Sequence, residues 1–384
     1  MMSLYPPLEA YRRDVGRLGD QGTFGADDGQ WVAASLLLQR YVEAAPADRH
    51  SLGAQLARYL AFDEELTVSN AGLSLGAEIE AAGALNLAAA WLHLLERIVP
   101  EGRVLELGRV RGQRATVALK LGATDAALEL YTDVERLGES SAEPELTARA
   151  WIGFALLAHM RGNYPEARRW YQAAALVADD NECSQQSCYA HQGLLICAGV
   201  ARDFDRAMVE GWQAFLSSQR IPDREAEVLN NIAQALQDSG NHRVALRGFA
   251  AAAARGKSVH LLLGAIGGVA VAGAALGRSG VVAAAASRVK HLAANAWSYP
   301  VAMALLDLSD AYGLLGQTAA ADEYRAQARA LAVKHSYHEL IHRANERKTQ
   351  IPDHQTLVRL GSAAQQVVGD IESLYAPPDL CAVN

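Results

Sequence analysis

A recurring spacing of small residues constrains the fold of this chain more than any other feature. Seven blocks, 37 to 40 residues apart, share a turn residue: Gly83, Gly122, Gly162, Arg202, Gly240, Gly277 and Gly316. A small apolar residue follows each turn residue by five positions: Ala88, Ala127, Ala167, Ala207, Ala245, Val282 and Ala321. A block of this length cannot bury its apolar face alone, so the pattern predicts stacked repeats.

Each block also carries a second set of matched positions before its turn. A mostly small residue precedes the turn residue by seven positions: Gly76, Ala115, Ala155, Leu195, Ala233, Ala270 and Ser309. The residue before it is usually apolar: Leu75, Arg114, Phe154, Leu194, Ile232, Val269 and Leu308. Two helices that cross closely need small residues at the contact, and a glycine ends a helix in the left-handed conformation. We therefore predict two antiparallel helices, A and B, in each block.

One block fills nearly every position of a known repeat. Its matching residues are Trp151, Phe154, Ala155, Gly162, Tyr164, Ala167, Tyr171 and Ala174, and only Ala158 departs from the pattern. This block resembles a tetratricopeptide repeat (TPR). The family unit has about 34 residues, so the repeats here are long. Their length resembles the sensor segments of MalT-type regulators and Rap-type peptide receptors, while HEAT-like helical repeats remain an alternative.

The resemblance implies an all-α fold, a right-handed superhelical solenoid of about seven TPR-like helix pairs with helical caps. The expected division is 1–62 for an N-terminal loop and capping helices, 63–335 for the solenoid, and 336–384 for C-terminal capping helices and a tail. The N-terminal helices are expected at 31–45 and 51–62. The C-terminal ones, ending near 347 and spanning 355–374, are expected to cap the last apolar face. Gly267, Gly268 and Gly273 indicate either a hinge or very close packing in the sixth repeat.

Composition limits the function classes. The net charge is −8, which disfavours general nucleic-acid binding, because such proteins usually carry a basic excess. The uncharged stretch 261–276 consists largely of glycine and alanine, so no membrane span is predicted. No secretory signal is visible and there are only four cysteines, which favours a cytoplasmic location. Without a phosphate loop or a GxSxG turn, we expect no cofactor, and the sequence does not favour an enzyme.

The resemblance also implies a binding groove, lined by the helix-A residues that face away from the core. The candidates are Arg109, Gln113, Thr116, Lys120, Arg149, His159, Tyr189, Gln192, Glu227, Asn230, Asn231, Gln234 and Gln237, with Asp307 and Asp310 beside them. Asn230 and Asn231 are the most specific pair, because an amide side chain both donates to and accepts from a peptide backbone. Relatives use such positions to hold an extended peptide or its terminal carboxylate. Gln192 and Gly193 in the preceding repeat leave that carboxylate clamp incomplete.

Two further clusters carry alternative interpretations. The cluster Arg103, Arg109, Arg111, Arg114 and Lys120 could receive an anion, or could be paired with Glu101 and Glu106. His335, His338 and His342 have the spacing of one helix face and could share a metal with Glu339 or Glu346. No ligand spacing is complete there, so no metal site is predicted.

Three functions remain open at this point. The leading hypothesis is a module that binds a protein or peptide as an adaptor, scaffold or regulatory sensor. The second is a ligand-responsive regulator of an effector protein. The third is an enzyme, which a buried His159 or His191 beside a carboxylate of altered pKa would favour. A homodimer through the repeats or the terminal helices is also possible.

Overall fold

The computed structural model describes residues 85–99, 102–219, 221, 224–293, 298–335, 337–345 and 360–374, with isolated helical positions between 72 and 80. The chain divides into two compact units, Met1–Asn181 and Glu182–Asn384. All regular secondary structure in these described ranges is helical. The predicted N-terminal helices at 31–45 and 51–62 lie outside them.

The N-terminal unit contains five described helices. They are α1 (Leu85–Ile98), α2 (Val104–Lys120), α3 (Thr124–Ser141), α4 (Pro144–Met160) and α5 (Tyr164–Asp180). Consecutive helices pack against each other, and α2 also contacts α4. In the repeat frame, α2 and α4 are A helices, while α1, α3 and α5 are B helices. The A helices therefore form a layer of their own.

The C-terminal unit contains ten described helices. They are α6 (Ser184–Val200), α7 (Phe204–Ser218), α8 (Arg224–Asp238), α9 (His242–Arg255), α10 (Val259–Ala275), α11 (Ser279–Ala293), α12 (Ser298–Leu314), α13 (Thr318–Lys334), α14 (His338–Asn345) and α15 (Ser362–Leu374). The A helices α6, α8, α10 and α12 contact one another in order. Their B partners are α7, α9, α11 and α13.

The turn residues confirm the predicted register. Gly122, Gly162, Gly240, Gly277 and Gly316 all have a positive φ, between 69° and 86°. Arg202 takes the same conformation at 58°, although its Cβ disfavours it. The amide of the next residue closes the turn, as where Asn163 N donates to the Ala158 carbonyl at 2.9 Å. Each described turn position thus ends its A helix as the spacing predicted.

The small positions lie at the crossing of the two helices. Of the residues five positions after the turn, all but Ala321 are completely buried, and Ala321 is 4% exposed. The A-helix position is also closed to solvent in Ala115, Ala155, Ala233, Ala270 and Ser309. The predicted all-α repeat solenoid of paired helices is confirmed.

The glycine-rich helix α10 is a place of close packing. A Cβ at Gly267 would collide with the Asp307 side chain of α12, and one at Gly268 would collide with the Phe249 ring of α9. A Cβ at Gly273 would press on Val281 of α11. Of the two interpretations of this repeat, the structure supports close approach by neighbouring side chains.

The two C-terminal helices pack in different places. Helix α14 packs on α13 and α12 and so covers the last repeat, as expected. Helix α15 instead packs on α7 and α9, the B helices of the fourth and fifth repeats. The sequence predicted a helix in this region, but an apolar stripe does not specify the surface that buries it. No helix within the described ranges is long and apolar enough to cross a membrane.

Candidate functional site

The basic candidates of the N-terminal unit are held in ion pairs. Arg109 on α2 donates through Nε and Nη2 to both carboxylate oxygens of Glu145 on α4, at 2.7 and 2.5 Å. The Glu145 hydrogen bond raises the pKa of Arg109, against the opposing effect of burial. Arg149 Nη2 lies 3.8 Å from the same carboxylate. We call the ion pair of Arg109 and Glu145 the α2–α4 pair. It joins two neighbouring A helices.

The remaining members of this basic cluster also have acidic neighbours. Arg111 and Arg114 both contact Glu96 of α1, and Lys120 Nζ lies 2.6 Å from Glu80. Arg103 is 4.0 Å from Glu106. Burial lowers the pKa of Arg114. The ion-paired interpretation is therefore the better supported one, with Glu96, Glu145 and Glu80 as the main partners. Glu101 lies outside the described residues.

Two uncharged candidates of this unit are also engaged. In the orientation that satisfies both neighbours, the Gln113 amide donates to the Leu73 carbonyl at 3.3 Å and accepts from Ala77 N at 3.0 Å. The His159 ring packs edge-on against Tyr164, with 5.1 Å between ring centroids. Burial lowers the pKa of His159, so the ring is neutral at neutral pH.

A second polar cluster joins α6 and α8 in the C-terminal unit. The Arg224 guanidinium lies 4.0 Å from the centroid of the Tyr189 ring, and its Nη2 donates to Gln192 Oε1 at 2.9 Å. Its Nη1 donates to Glu227, whose other oxygen accepts from Gln192 Nε2 at 3.4 Å. We call Tyr189, Gln192, Arg224 and Glu227 the α6–α8 cluster. The two predicted residues of α6 thus meet α8 through Arg224.

Local sequence explains this cluster. Tyr189 and Gln192 are three residues apart on α6, and Arg224 and Glu227 are three apart on α8, so each pair shares a helix face. Arg224 was not among the predicted residues, because it lies at the first position of α8, nine residues before the buried Ala233. One sequence feature could have identified Arg224: it lies one helical turn before the candidate Glu227, at the start of a predicted helix.

A buried thiol lies next to this cluster. Burial raises the pKa of Cys188 to about 11, although Arg224 acts in the opposite direction. The side chain is completely buried. Cys188 therefore remains a protonated thiol in the core, where a free cysteine packs as a small apolar residue.

A row of four amide side chains continues along the same helix, α8. It consists of Asn230, Asn231, Gln234 and Gln237, and we call it the α8 amide row. Asn230 Oδ1 and Gln237 Oε1 are both buried without a hydrogen-bond partner. Gln234 Nε2 donates to Asp238 at 3.0 Å, and Asn231 is half-buried. Two acceptors of this row are thus left unsatisfied.

The acidic end of the predicted groove is neutralised by the C-terminal region. Arg343 of α14 donates to Asp307 at 2.7 Å and to Asp310 at 3.0 Å. Burial opposes the charge of Arg343, but the two carboxylates outweigh it and raise the pKa of Arg343. These aspartates therefore hold α14 on α12.

The histidine face predicted near the C-terminus is wrong. His335 ends α13, whereas His338 begins α14, so the three histidines do not share one helix. Tyr337 N donates to the Ala332 carbonyl at 2.9 Å, which closes the C-terminal turn of α13. Among the residues with described positions, no group of three or more His, Cys, Asp or Glu is arranged to hold a metal ion.

His191 belongs to a hydrogen-bonded pair between α6 and α7. Its Nδ1 lies 2.7 Å from Glu210 Oε2, and Arg206 Nε lies 3.4 Å from the other oxygen of that carboxylate. The Glu210 carboxylate thus contacts both His191 and Arg206. This arrangement fixes α6 against α7 and does not by itself indicate catalysis.

Comparison with solved structures supports the repeat fold. The chain is similar to a signal transduction ATPase with numerous domains (STAND) and a tetratricopeptide repeat sensor from Pyrococcus horikoshii, with 12% identity and a TM-score of 0.51. That match covers 88% of this chain and 55% of the ATPase, so the chain spans about half of its length. The chain is also similar to a Rap protein solved in complex with competence and sporulation factor.

The Rap match has 15% identity and a TM-score of 0.52, and covers 80% of this chain and 89% of the Rap chain. No family model matches the sequence, and no curated protein matches it significantly. At these identities the matches show the fold. The fold of this chain is a TPR-like helical repeat, as its sequence predicted.

Proposed function

We propose that this chain is a peptide-binding regulatory module that receives an extended peptide on the A helices of its C-terminal unit. The binding surface consists of the α6–α8 cluster and the α8 amide row. The observation that carries the proposal is the buried Asn230 Oδ1, which has no hydrogen-bond partner. An acceptor in this state is stabilised by a donor that the free chain does not supply, and a peptide N–H is such a donor.

The energetic argument is one of unequal costs. A buried acceptor left unsatisfied costs about 1–3 kcal/mol, and Asn230 Oδ1 and Gln237 Oε1 both carry this cost. A ligand that donates to either one recovers part of it. In an extended peptide the backbone N–H groups recur every few ångströms, so one strand can reach more than one residue of the row. The same arrangement explains why an amide row, rather than a charged one, suits a backbone ligand.

The comparisons add support from two directions. The Rap protein was solved with a bound factor, and the ATPase carries a tetratricopeptide repeat sensor. Both descriptions concern those proteins. Their shared repeat fold makes a sensor or peptide receptor a better proposal for this chain than a rigid scaffold. The enzyme alternative has less support, because His191 is hydrogen-bonded to Glu210 between two helices and His159 packs against Tyr164.

Three expectations from the sequence accompany this proposal without a test in the structure. They are a cytoplasmic location, self-association through the repeats or the terminal helices, and the division of the chain at residues 62 and 335.

The candidate groove residues of the N-terminal unit are not included in the proposed binding surface. Because Arg109, Lys120 and Gln113 have partners within the unit, we assign the first ligand contacts to the C-terminal unit.

Selection from a displayed library of random linear peptides tests the proposed function. The wild-type chain and the variant with both Asn230→Ala and Asn231→Ala are immobilised and panned in parallel. We expect the wild type to enrich peptides that the variant binds at least tenfold more weakly, about 1.4 kcal/mol. Failure of the wild type to enrich any peptide would contradict the proposal.

A matched control separates the site from a general loss of folding. Gln327→Ala removes an exposed amide from the B helix α13, away from the A layer. This variant should bind the selected peptides like the wild type. Thermal unfolding of all three proteins should show that the double variant remains folded. Equal binding by the double variant and the wild type would exclude the α8 amide row.

A further inference from the structure

The C-terminal helix α15 joins two repeats that carry the proposed site. It packs on α7 and α9, the B helices paired with α6 and α8. Its buried residues Ala364, Val367 and Ile371 are three and four positions apart and form one apolar stripe. Leu360, just before the helix, is also buried. Helix α15 therefore spans the fourth and fifth repeats from the B side.

A specific polar contact fixes the start of α15. Gly361 N donates to Asp205 Oδ1 of α7 at 2.6 Å, between residues 156 positions apart in the sequence. A Cβ at residue 361 would lie 3.2 Å from Asp205 Oδ2, so glycine leaves room for the carboxylate. A negative charge at the start of a helix is favourable, because it interacts with the positive end of the helix dipole. Asp205 thus anchors α15 as well as lying in the first turn of α7.

The α6–α8 cluster joins the fourth and fifth repeats on the A side. Arg224 is engaged by Tyr189, Gln192 and Glu227, and Arg224 Nε and Asn230 Oδ1 are closed to solvent. Separation of α6 from α8 breaks the contacts of Arg224 with Gln192 and Tyr189, and we expect a ligand to reach Asn230 Oδ1 by this movement. Each A helix packs along its own B helix, so this separation rotates the fourth repeat against the fifth. The rotation shifts α7 relative to α9, which α15 opposes.

We infer that α15 is an autoinhibitory strap that keeps the groove between α6 and α8 closed. Release of the strap opens the groove, and a ligand in the groove weakens the strap by the same free energy. The coupling needs no direct contact between the ligand and α15, because the two rigid repeats transmit it. The part of the inference that concerns ligands rests on the proposed function, whereas the part that concerns the closed groove does not.

Hydrogen–deuterium exchange of the free full-length chain tests the strap without any ligand. Ile371→Asp places a charge in the buried stripe, and Asp205→Ala removes the anchor on α7 while leaving α15 unchanged. Both variants should accelerate exchange in 362–374 and, by about tenfold, in 184–200 and 224–238. Asp322→Ala, which removes an exposed carboxylate from the B helix α13, serves as the control and should change none of these segments.

The outcome separates a strap from a passive cover. Faster exchange in 362–374 with unchanged exchange in 184–200 and 224–238 would overturn the inference. Using two variants guards against misfolding of one, because Asp205→Ala leaves the core stripe intact. Faster exchange along the whole chain in both variants would show global destabilisation, and would also count against a strap.

The displayed peptide library supplies the second arm. Panned against Asp205→Ala, it should yield more binders, and the same peptides should bind that variant several-fold more tightly than the wild type. Equal or weaker binding by the variant would refute autoinhibition. If neither protein enriches peptides, the proposed function fails, and the exchange experiment alone decides whether α15 holds the groove closed.

Discussion

The α2–α4 pair and the α6–α8 cluster occupy comparable positions on successive A helices, but they are satisfied to different degrees. On the first face, Glu145 accepts two hydrogen bonds from Arg109 and lies near Arg149. On the second, Arg224 joins α6 to α8, and six residues further along α8 Asn230 Oδ1 is buried without a partner. On the first face the carboxylate oxygens are engaged and the buried unpaired atom is a donor, Arg149 Nε, while the second face has an unused acceptor.

This difference separates two uses of the same repeat position. A charged pair between A helices fixes the angle between two repeats, and a bidentate arginine–carboxylate pair does so with defined geometry. An amide with an unsatisfied oxygen contributes little to that angle and is available for a ligand. Polar residues on the A layer therefore do not all indicate binding. Whether each one has a partner decides which of them are candidates.

The largest expected effect follows from removing the carboxylate of the α2–α4 pair. Glu145→Gln removes the carboxylate that accepts both hydrogen bonds of the partly buried Arg109 and leaves only the charges of Glu106 and Glu143 near it. We therefore expect a loss of about 2–3 kcal/mol in the free energy of unfolding. Glu139→Gln, at an exposed position of α3, should change it by less than about 0.5 kcal/mol. Urea denaturation followed by circular dichroism measures both.

The counterpart on the second face sharpens the comparison. Asn230→Ala removes an unsatisfied acceptor, so its effect on stability should stay within about 1 kcal/mol and can be favourable. A loss as large as that of Glu145→Gln would mean that Asn230 holds the repeats together. The two faces would then not differ in the way proposed.

A smaller effect is expected at the turns of the third and fourth repeats. Gly162 has φ 73°, and Arg202 adopts φ 58° at the matching position. Gly162→Ala should destabilise the chain by about 1 kcal/mol, because a Cβ disfavours this conformation. Arg202→Gly should stabilise the chain by about 0.5 kcal/mol, because it relieves the strain of a Cβ at positive φ. The gain is smaller than the strain energy for two reasons. Glycine is more flexible in the unfolded chain, and the contact of Arg202 with Phe204 is lost. Thermal unfolding of both variants tests the opposite signs.

The sequence predicted the repeat register well, because that register depends on local requirements. A left-handed turn and a close helix crossing each demand a residue type at a fixed spacing, and Gly162 and Ala167 show both. The partners of polar residues depend on which helices meet. Glu96 and Glu145 therefore did not emerge as partners of the basic cluster, and Arg224 was missed.

The terminal helices show the same limit. The sequence predicted a helix over 355–374, but the docking of Ala364, Val367 and Ile371 on α7 and α9 depends on how distant parts of the chain come together. The contact between Gly361 and Asp205 leaves no spacing signal, because 156 residues separate the two. The histidine prediction failed for a related reason, since α13 ends at Lys334 and the next helix begins only at His338.

The smallest expected effect distinguishes the two faces by their response to pH. His159 and Gln237 occupy matching positions, four residues after the buried Ala155 and Ala233. Burial lowers the pKa of His159 below 6.5, so the unfolded chain binds a proton more readily than the folded chain. This contribution to stability is fully present above pH 6.5 and is lost as the pH falls through the folded pKa.

We expect His159→Gln to remove this dependence. Between the unfolded value of 6.5 and the folded pKa, the wild type should lose stability relative to the variant, by less than about 1 kcal/mol because the ring is only half-buried. Urea denaturation at pH 7.5 and 5.0 measures the difference. Gln237→Ala, at the matching amide position, should shift stability equally at both pH values. If the free energy of unfolding changed with pH in the same way in the wild type and in His159→Gln, the His159 ring would be hydrated. The aromatic contact with Tyr164 would then not shield the ring from water.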